Sequence, residues 1–459
     1  QELFTDPFTN DATKEPEPEP EPESADIEAS ALTRQTSHRT MLSSPAADET
    51  LGRSPSVRTL VRVEGVSDEP VEERLLRLQD RSQPALRARL ALLQRWSQVV
   101  SPMLRLIDFS QAHVPSRLAH KLCLSKGRLF PDVKSRLFHS GCHLTAVTEG
   151  ARVPRLSVEV GVDPPSSRKQ SESVFEQVRT KLGSRSKNTL RVTHSEGVES
   201  RYWKVDLVGL GAAAWSDTQD EGGLFRACTR DICVELQSST LPLLVPAPNA
   251  ALGVRGRDRW LPAPSLPGAT LSQLEREQYQ FLGALMGTAA RGGAFMELDL
   301  APVVWRKLLG EAISVADLSA IDERIAQFLT HLGGVEDEAE WDAAGVRWRV
   351  RNAAGNIVRL TPVAEVREHC CACCVVSRAR SGGLTFVIDA LQDERVPFSA
   401  KDAYVTACLK LRLGEFDLAI EEMKRGLSEV VPLNAGLGLM GWREIEKRVC
   451  GEPRIDIEL

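Results

Sequence analysis

Cysteines are the residues of this 459-residue chain with the clearest capacity for chemistry. A thiolate can attack a thioester carbon, and a set of thiolates can hold a zinc ion. Four of the ten cysteines stand in the run His369-Cys370-Cys371-Ala372-Cys373-Cys374. A structural zinc site usually takes ligand pairs about two to four residues apart and needs a second pair elsewhere, which this sequence lacks. We therefore favour an insertion over a metal site for this run and predict no bound metal.

The other cysteines stand singly among apolar neighbours, a pattern typical of reduced, buried thiols in an intracellular protein. They are Cys123, Cys142, Cys228, Cys233, Cys408 and Cys450. Cys450 lies in the ending GWREIEKRVCGEPRIDIEL, where Ile455, Ile457 and Leu459 alternate like a half-buried strand. Residue types alone leave open whether Cys450 is a reaction centre or a structural thiol.

Composition excludes several classes of function. The formal net charge is −6, so no overall basic field attracts the chain to nucleic acid. No apolar run reaches the length of a membrane-spanning helix, and the polar start QELFTDPFTN does not have the pattern of a signal peptide. We expect a cytoplasmic or nuclear protein that has neither nucleic acid nor a membrane as a partner. Because the first residue is not methionine, we also expect a fragment at the front end.

One glycine pair raises the possibility of phosphate binding. Gly222 and Gly223 precede the helical pattern LFRACTRDICVEL, as a phosphate-binding turn would. The spacing fits neither a P-loop nor a dinucleotide fingerprint. We therefore predict no cofactor and interpret the pair as a tight turn before a helix.

The amino-acid pattern divides the chain into three parts. Residues 1–70 contain EPEPEPEPE and a Ser/Thr/Arg-rich stretch, which predict a disordered tail. Residues 71–165 show helical periodicity and predict a helical segment. Residues 166–459 combine helical patterns with a few short alternating runs. The fold class that this mixture predicts is mainly α with small β elements, an α+β arrangement.

Within the helical segment, apolar residues recur at helical spacing. One stripe contains Leu86, Leu90 and Leu93, and beside it lie Leu92, Trp96 and Val99. We expect the stripe around Trp96 to be core rather than a ligand site. The sequence SPMLRLIDF follows, and Ser101 with Pro102 predicts the start of a new helix.

The main domain offers three further patterns. The run SRYWKVDLVGLGAAAW alternates and predicts a strand with one buried face, while LPLLVPAPN predicts an extended apolar strand. Gly283 and Gly287 predict a close approach between two helices. Near the end, one long amphipathic helix is predicted from the apolar face Leu409, Leu413, Phe416, Ile420, Met423 and Leu427.

Several blocks in the same order resemble a known family. The segments GGLFR, CVELQSS, LPLLVPAPN, FLGALMG, LAPVVWRKLLGE and EEMKRGLSEVVP look like the amino-terminal lobe of the HECT ubiquitin ligases. The stretch LRARLALLQRWSQVVSPMLRLIDFSQAHVPSRLAHKL resembles the helical segment that precedes the catalytic module in giant members of that family. The resemblance covers residues 71–459. It implies a HECT amino-terminal lobe at 166–459 with a small inserted subdomain at about 312–400.

The resemblance also implies an activity and partners. HECT enzymes accept ubiquitin from the thioester of a ubiquitin-conjugating enzyme (E2) onto a cysteine of a second lobe, and transfer it to lysines of protein substrates. The Thr-Cys-Phe-like context of that cysteine does not occur in this chain, so we expect the catalytic lobe to be missing. Cys450 matches a position of the first lobe, and we interpret it as structural. The alternative function is a non-catalytic, regulatory E2-binding module.

In the family, the inserted subdomain docks the E2 through an apolar groove. The matching segment here is FLTHLGGVEDEAEWDAAGVRWRV. We predict that the groove is lined by Phe328, Leu329, Leu332, Trp348 and Val350. The alternative is that all five belong to the core of the subdomain. The acidic residues at 336–340 either steer a basic E2 surface or form a solvated face.

Overall fold

The computed structural model describes residues 81–146 except 113, 154–159, 163–183, 187–191, 202–208, 215–216, 223–292, 295–360, 395–432 and 436–452. Predictions for the tail at 1–70, for the cysteine run at 370–374 and for the final strand at 455–459 lie outside the described residues. No described helix is long and apolar enough to cross a membrane.

Helices dominate the described residues. In chain order they are α1 Gln83–Leu104, α2 Leu118–Leu124, α3 Pro131–Leu144, α4 Val174–Gly183, α5 Gly223–Leu236, α6 Asn249–Leu252, α7 Gln273–Ala290, α8 Pro302–Leu308, α9 Val315–Ser319, α10 Glu323–Gly334, α11 Glu338–Ala344, α12 Lys401–Gly414, α13 Asp417–Val430 and α14 Trp442–Cys450. The predicted fold class, mainly α with small β elements, is confirmed.

Three small sheets accompany the helices. Their strands are β1 Arg155–Glu159, β2 Lys204–Val208, β3 Trp215–Ser216, β4 Leu244–Pro246, β5 Trp260–Pro262, β6 Arg349–Arg351 and β7 Ile357–Arg359. β2 lies between β1, to which it is parallel, and β3, to which it is antiparallel. β4–β5 and β6–β7 are antiparallel pairs. The two strands predicted in SRYWKVDLVGLGAAAW and LPLLVPAPN are thereby confirmed as β2 and β4.

Two crossing helices, α7 and α13, form the centre of the main domain. At the crossing, a Cβ added to Gly283 would lie 1.8 Å from the carbonyl oxygen of Met423, and one added to Gly426 would lie 1.7 Å from that of Gln280. A Cβ at Gly287 would meet the Cβ of Val430 at 2.9 Å. The predicted close approach at Gly283 and Gly287 is confirmed, because only glycine lets the two backbones come this near.

The prediction of one long helix near the end of the chain is wrong. Residues 401–430 form two helices, α12 and α13, separated at Glu415 and Phe416. Leu409 and Leu413 of α12 are only half-buried, whereas Phe416 and the predicted face of α13, which comprises Ile420, Met423 and Leu427, are buried. The break arises where the Glu415 side chain turns to buried partners and its backbone carbonyl accepts a hydrogen bond from Ser265 N at 2.8 Å. The apolar residues of the two helices follow one continuous periodicity in the sequence, and for that reason they were predicted as a single helix.

The helices α1, α2 and α3 form a layer at the start of the described chain. Their core comprises Val100, Leu104, Phe109, Ala119, Leu122, Leu129, Val133 and Leu137, joined by Leu439 of the main domain. Two ion pairs also join this layer to the main domain. Lys134 Nζ lies 2.9 Å from a carboxylate oxygen of Glu444, and Lys126 Nζ lies 2.5 Å from one of Glu311.

Two predictions for α1 are wrong. The helix continues through Ser101 and Pro102 without a new start. The stripe around Trp96 is not core, since Trp96 is 40% exposed and Val99 57% exposed. The buried side of α1 is instead Ser97, Val100 and Leu104, about 100° further round the helix. Apolar residues cover a wider part of the α1 surface than the part that packs on the rest of the layer, so some of them remain exposed.

Candidate functional site

The predicted small subdomain begins with three short helices whose ends are capped by their own sequence. At the start of α9, the carboxylate of Asp317 accepts hydrogen bonds from Ser314 N at 2.8 Å and from Ser314 Oγ at 3.2 Å. The carboxylate of Asp322 accepts a hydrogen bond from Ile325 N at 3.1 Å and so caps α10. Asp337 caps α11, which ends at Gly345 in a left-handed conformation. The β6–β7 hairpin follows.

The five predicted groove residues fall into two groups. Leu329, Leu332 and Val350 are only 2%, 1% and 1% exposed, so they lie in the core of the subdomain. Phe328 and Trp348 are half-buried and present part of their side chains at the surface. A partner can touch only the second group directly. E2 contact stays a prediction for all five residues, and in this structure the buried three support the surface from beneath.

Trp348 is held by α12. Its ring makes an edge-to-face contact with the ring of Tyr404, with centroids 5.9 Å apart and planes at 72°. The Tyr404 hydroxyl donates to the carbonyl oxygen of Arg349 at 2.9 Å, which ties β6 to the same helix. α10, the helix of Phe328, also packs on α12. The two half-buried aromatic side chains therefore stand on elements that rest on one helix.

Asn249 joins this subdomain to the main domain, although no functional motif in the sequence contains it. Its carboxamide oxygen accepts from Glu323 N, the first amide of α10, at 2.8 Å. Its carboxamide nitrogen donates to the carbonyl oxygens of Ser319 at 3.1 Å and Arg255 at 2.9 Å, and its own backbone N–H donates to Ile321 O at 3.0 Å. Asn249 is fully buried. The only signal in the sequence was its place at the end of LPLLVPAPN.

A buried ion network forms a second junction. Arg412 of α12 donates to Asp322 at 2.8 Å and to Glu415 at 3.0 Å, and Glu415 also accepts from Ala353 N at 3.0 Å. Burial raises the pKa of Glu415, an effect that Arg412 partly offsets. Burial opposes the charge on Arg412, but Glu415 and Asp322 outweigh it and raise the pKa of the guanidinium. The network links the α10 cap, the hairpin and α12.

None of the described cysteines has the lowered pKa of a nucleophile. Burial raises the pKa of the Cys142 thiol to about 11, and those of Cys228, Cys408 and Cys450 to about 12. The pKa of Cys123 and of Cys233 is also raised by burial. The Cys450 sulfur lies 3.5 Å from the carbonyl oxygen of Leu298. These environments support a structural role for Cys450, because catalysis requires a thiolate.

Among the residues that the structure describes, no three or more His, Cys, Asp or Glu side chains lie close enough together to hold a metal ion. The cysteine run at 370–374 lies outside them. The acidic side chains at 336–340 are exposed, and they lie just before α11 and in its first turn without forming a buried cluster.

Comparison with known proteins decides the family. Residues 232–459 match the family of the HECT-domain (ubiquitin-transferase). This part of the chain is a HECT domain. The mainly α fold with small sheets described above agrees with the fold that the resemblance implied.

Relatives of this HECT chain are far longer than it is. E3 ubiquitin-protein ligase HERC2 of Mus musculus is 27% identical over 389 residues, covering 82% of this chain and 7% of the relative. Probable E3 ubiquitin-protein ligase HECTD4 of Homo sapiens is 26% identical over 385 residues, covering 82% of this chain and 9% of the relative. A putative E3 ubiquitin-protein ligase, PFF1365c of Plasmodium falciparum (isolate 3D7), is 22% identical over 193 residues, covering 41% and 2%.

Proposed function

We propose that this HECT chain is the E2-docking part of an E3 ubiquitin-protein ligase. The subdomain at 312–400 binds a ubiquitin-charged E2, and the partners are the E2, ubiquitin and protein substrates. Support comes from the HECT match and from the names of the relatives. This chain spans less than a tenth of the length of the curated relatives cited above, so the activity of the whole protein is part of the proposal.

One observation carries the docking site. Phe328 and Trp348 are half-buried aromatic side chains on a rigid support of buried core, the Tyr404 ring and the Asn249 and Arg412 junctions. Large aromatic anchors on a preorganised surface are typical of binding hot spots. The exposed acids at 336–340 lie close in sequence and favour a partner with a basic surface.

The chemistry proposed for the whole ligase is covalent catalysis. A cysteine thiolate attacks the carbonyl carbon of the E2–ubiquitin thioester, the E2 thiolate leaves, and a new thioester joins ubiquitin to the ligase. A substrate lysine amine then attacks that thioester and releases the ligase thiolate. Because every described thiol has a raised pKa, we assign the accepting cysteine to a second lobe outside the described residues. Cytoplasmic or nuclear placement remains a prediction from the sequence.

The second candidate is a non-catalytic E2-binding module. It differs in one outcome only, because the module captures an E2 without forming a thioester with ubiquitin. Non-reducing gels of the native full-length protein with ubiquitin-charged E2 separate the two: a thiol-sensitive ubiquitin adduct supports the ligase, and E2 binding without an adduct supports the module.

Docking is tested with a panel of ubiquitin E2 enzymes and two variants of this chain. Phe328→Ala and Trp348→Ala should weaken E2 binding by about 1–3 kcal/mol, the range of a hot-spot residue, with little change in the thermal unfolding temperature. Phe295→Ala is the matched control, since Phe295 is an exposed aromatic residue of the main domain. Unfolding of both variants, or binding equal to that of the control, would contradict the assignment.

A further inference from the structure

One face of α1 has no partner in the described structure. Leu92, Trp96, Val99 and Met103 are 55%, 40%, 57% and 50% exposed. We call these four residues the α1 stripe. Surface leucines are common singly, but four large apolar side chains along one helix form a contiguous patch that marks an interaction site.

The spacing of the α1 stripe matches that of a helix–helix seam. Its members are separated by four, three and four residues, which is the a/d pattern of a heptad repeat. The packed side of α1, which includes Val100 and Leu104, lies about 60–100° away on the helix surface. α1 therefore has two adjacent apolar faces. The layer covers one, and the other has the register that a second helix needs for knobs-into-holes packing.

Charge indicates what kind of helix fits. The segment 81–107 contains no Asp or Glu and has exposed arginines at positions 81, 87, 89, 95 and 105. Arg89 lies one turn before Leu92, in line with the α1 stripe, and Arg95 lies beside Trp96 at its border. A seam flanked by one sign of charge selects partners with the opposite sign at the facing positions.

We propose that the α1 stripe docks an amphipathic helix of a separate protein, with apolar residues at heptad spacing and Asp or Glu beside them. A second copy of this chain fits less well, because pairing two α1 helices brings arginines together with no acid on either helix. An anionic lipid surface would attract the arginines but requires no heptad register. This inference is independent of the proposed E2 site, whose exposed aromatic residues lie on α10 and directly before β6.

The test uses the full chain and two synthetic three-heptad helices that share a leucine seam. One carries Glu at the flanking positions and the other carries Lys. Fluorescence anisotropy of the labelled peptides should show binding of the Glu peptide that is about tenfold or more tighter than binding of the Lys peptide, and that weakens with added salt. Equal binding of the two peptides, or no binding of either, would overturn the proposal.

Variants locate the binding face. Trp96→Glu should abolish binding of the Glu peptide, whereas Leu418→Glu should not, since Leu418 is an equally exposed apolar residue on α13. If circular dichroism shows that Trp96→Glu unfolds, Val99→Glu takes its place, because Val99 is more exposed. Unchanged binding by a folded stripe variant would overturn the proposal.

Charge reversal gives the sharpest outcome. The double variant Arg89→Glu, Arg95→Glu should prefer the Lys peptide to the Glu peptide, an inversion that loss of structure cannot produce. Preference unchanged by this reversal contradicts the assigned chemistry. Two further measurements expose the other occupants: a dimer in sedimentation that Trp96→Glu dissolves would assign the face to a second copy, and tighter binding to phosphatidylserine vesicles than to the Glu peptide would assign it to lipid. Either result overturns the proposal.

Discussion

Asn249→Ala should loosen the small subdomain from the main domain. The substitution removes the carboxamide that pairs with Glu323 N, Ser319 O and Arg255 O at 2.8, 3.1 and 2.9 Å. The backbone hydrogen bond from Asn249 N to Ile321 O remains possible. The change therefore leaves one amide and two carbonyl oxygens without their side-chain partner. These groups surround the fully buried side chain of Asn249.

The magnitude follows from these three groups. Leaving one buried polar group unpaired costs about 1–3 kcal/mol. Carbonyl oxygens tolerate a lost partner better than amides do, and a water molecule can enter the vacated space. We therefore expect the free energy of unfolding to fall by about 2–4 kcal/mol rather than by three full penalties. Asn249→Asp should be no milder at pH 7, because its second oxygen would face two carbonyl oxygens.

Urea unfolding followed by tryptophan fluorescence and circular dichroism measures the effect, with linear extrapolation to water. The matched control is Asn356→Ala, since Asn356 is exposed in the β6–β7 hairpin, and it should change the free energy of unfolding by no more than about 0.5 kcal/mol. A difference between Asn249→Ala and Asn356→Ala of less than about 0.5 kcal/mol would refute the view that Asn249 joins the two parts.

Three further changes test other parts of the structure. Gly283→Ala places a Cβ 1.8 Å from a backbone oxygen and should cost more than about 2 kcal/mol, whereas Gly333→Ala, a helical glycine with nothing within 4 Å, should be neutral or slightly stabilising in thermal unfolding. Arg412→Ala removes the cationic partner of two buried carboxylates and should cost about 3–5 kcal/mol. Arg425→Ala should cost less than about 1 kcal/mol, because the Arg425 side chain is 64% exposed and its partner Glu422 keeps a hydrogen bond from Gln280; equal urea midpoints would contradict this. Because burial raises the Cys450 pKa to about 12, iodoacetamide at pH 8 should alkylate Cys450 more slowly in the native than in the urea-unfolded chain, and equal rates would contradict the burial.

The raised pKa of the Cys450 thiol also sets the direction in which pH changes the stability of the folded chain. The unfolded thiol has a pKa of about 8.5, below that of the native one. The native state therefore holds its proton where the unfolded state has lost it, and the contribution to stability is complete below about pH 8.5 and is lost as pH rises toward the native pKa. Cys450→Ser removes this dependence and should leave E2 capture unchanged.

Features that are set by the conformational preferences of neighbouring residues could be predicted from the sequence. The strand β2 followed from alternation and the strand β4 from an extended apolar run, and the close helix crossing followed from Gly283 and Gly287. The mainly α fold with small sheets followed from the same reasoning. These features need only neighbouring residues to decide the conformation.

Features that depend on what packs against a helix could not be predicted this way. An apolar stripe shows that a helix has an apolar side, but the Trp96 stripe is exposed because the layer packs on the adjacent arc of α1. Asn249 and Arg412 act through partners between 3 and 90 residues away in sequence, which a single chain does not reveal. For the same reason the sequence could not separate Phe328 and Trp348 from the buried Leu329, Leu332 and Val350.

Docking of an E2 on α10 and the hairpin can be tested by hydrogen exchange of this chain with and without an E2 linked to ubiquitin through a stable bond. We predict slower exchange on E2 binding within α10 and the β6–β7 hairpin, where Phe328 and Trp348 lie, and little change at the crossing of α7 and α13. Protection confined to other elements, or no protection with any member of an E2 panel, would contradict it.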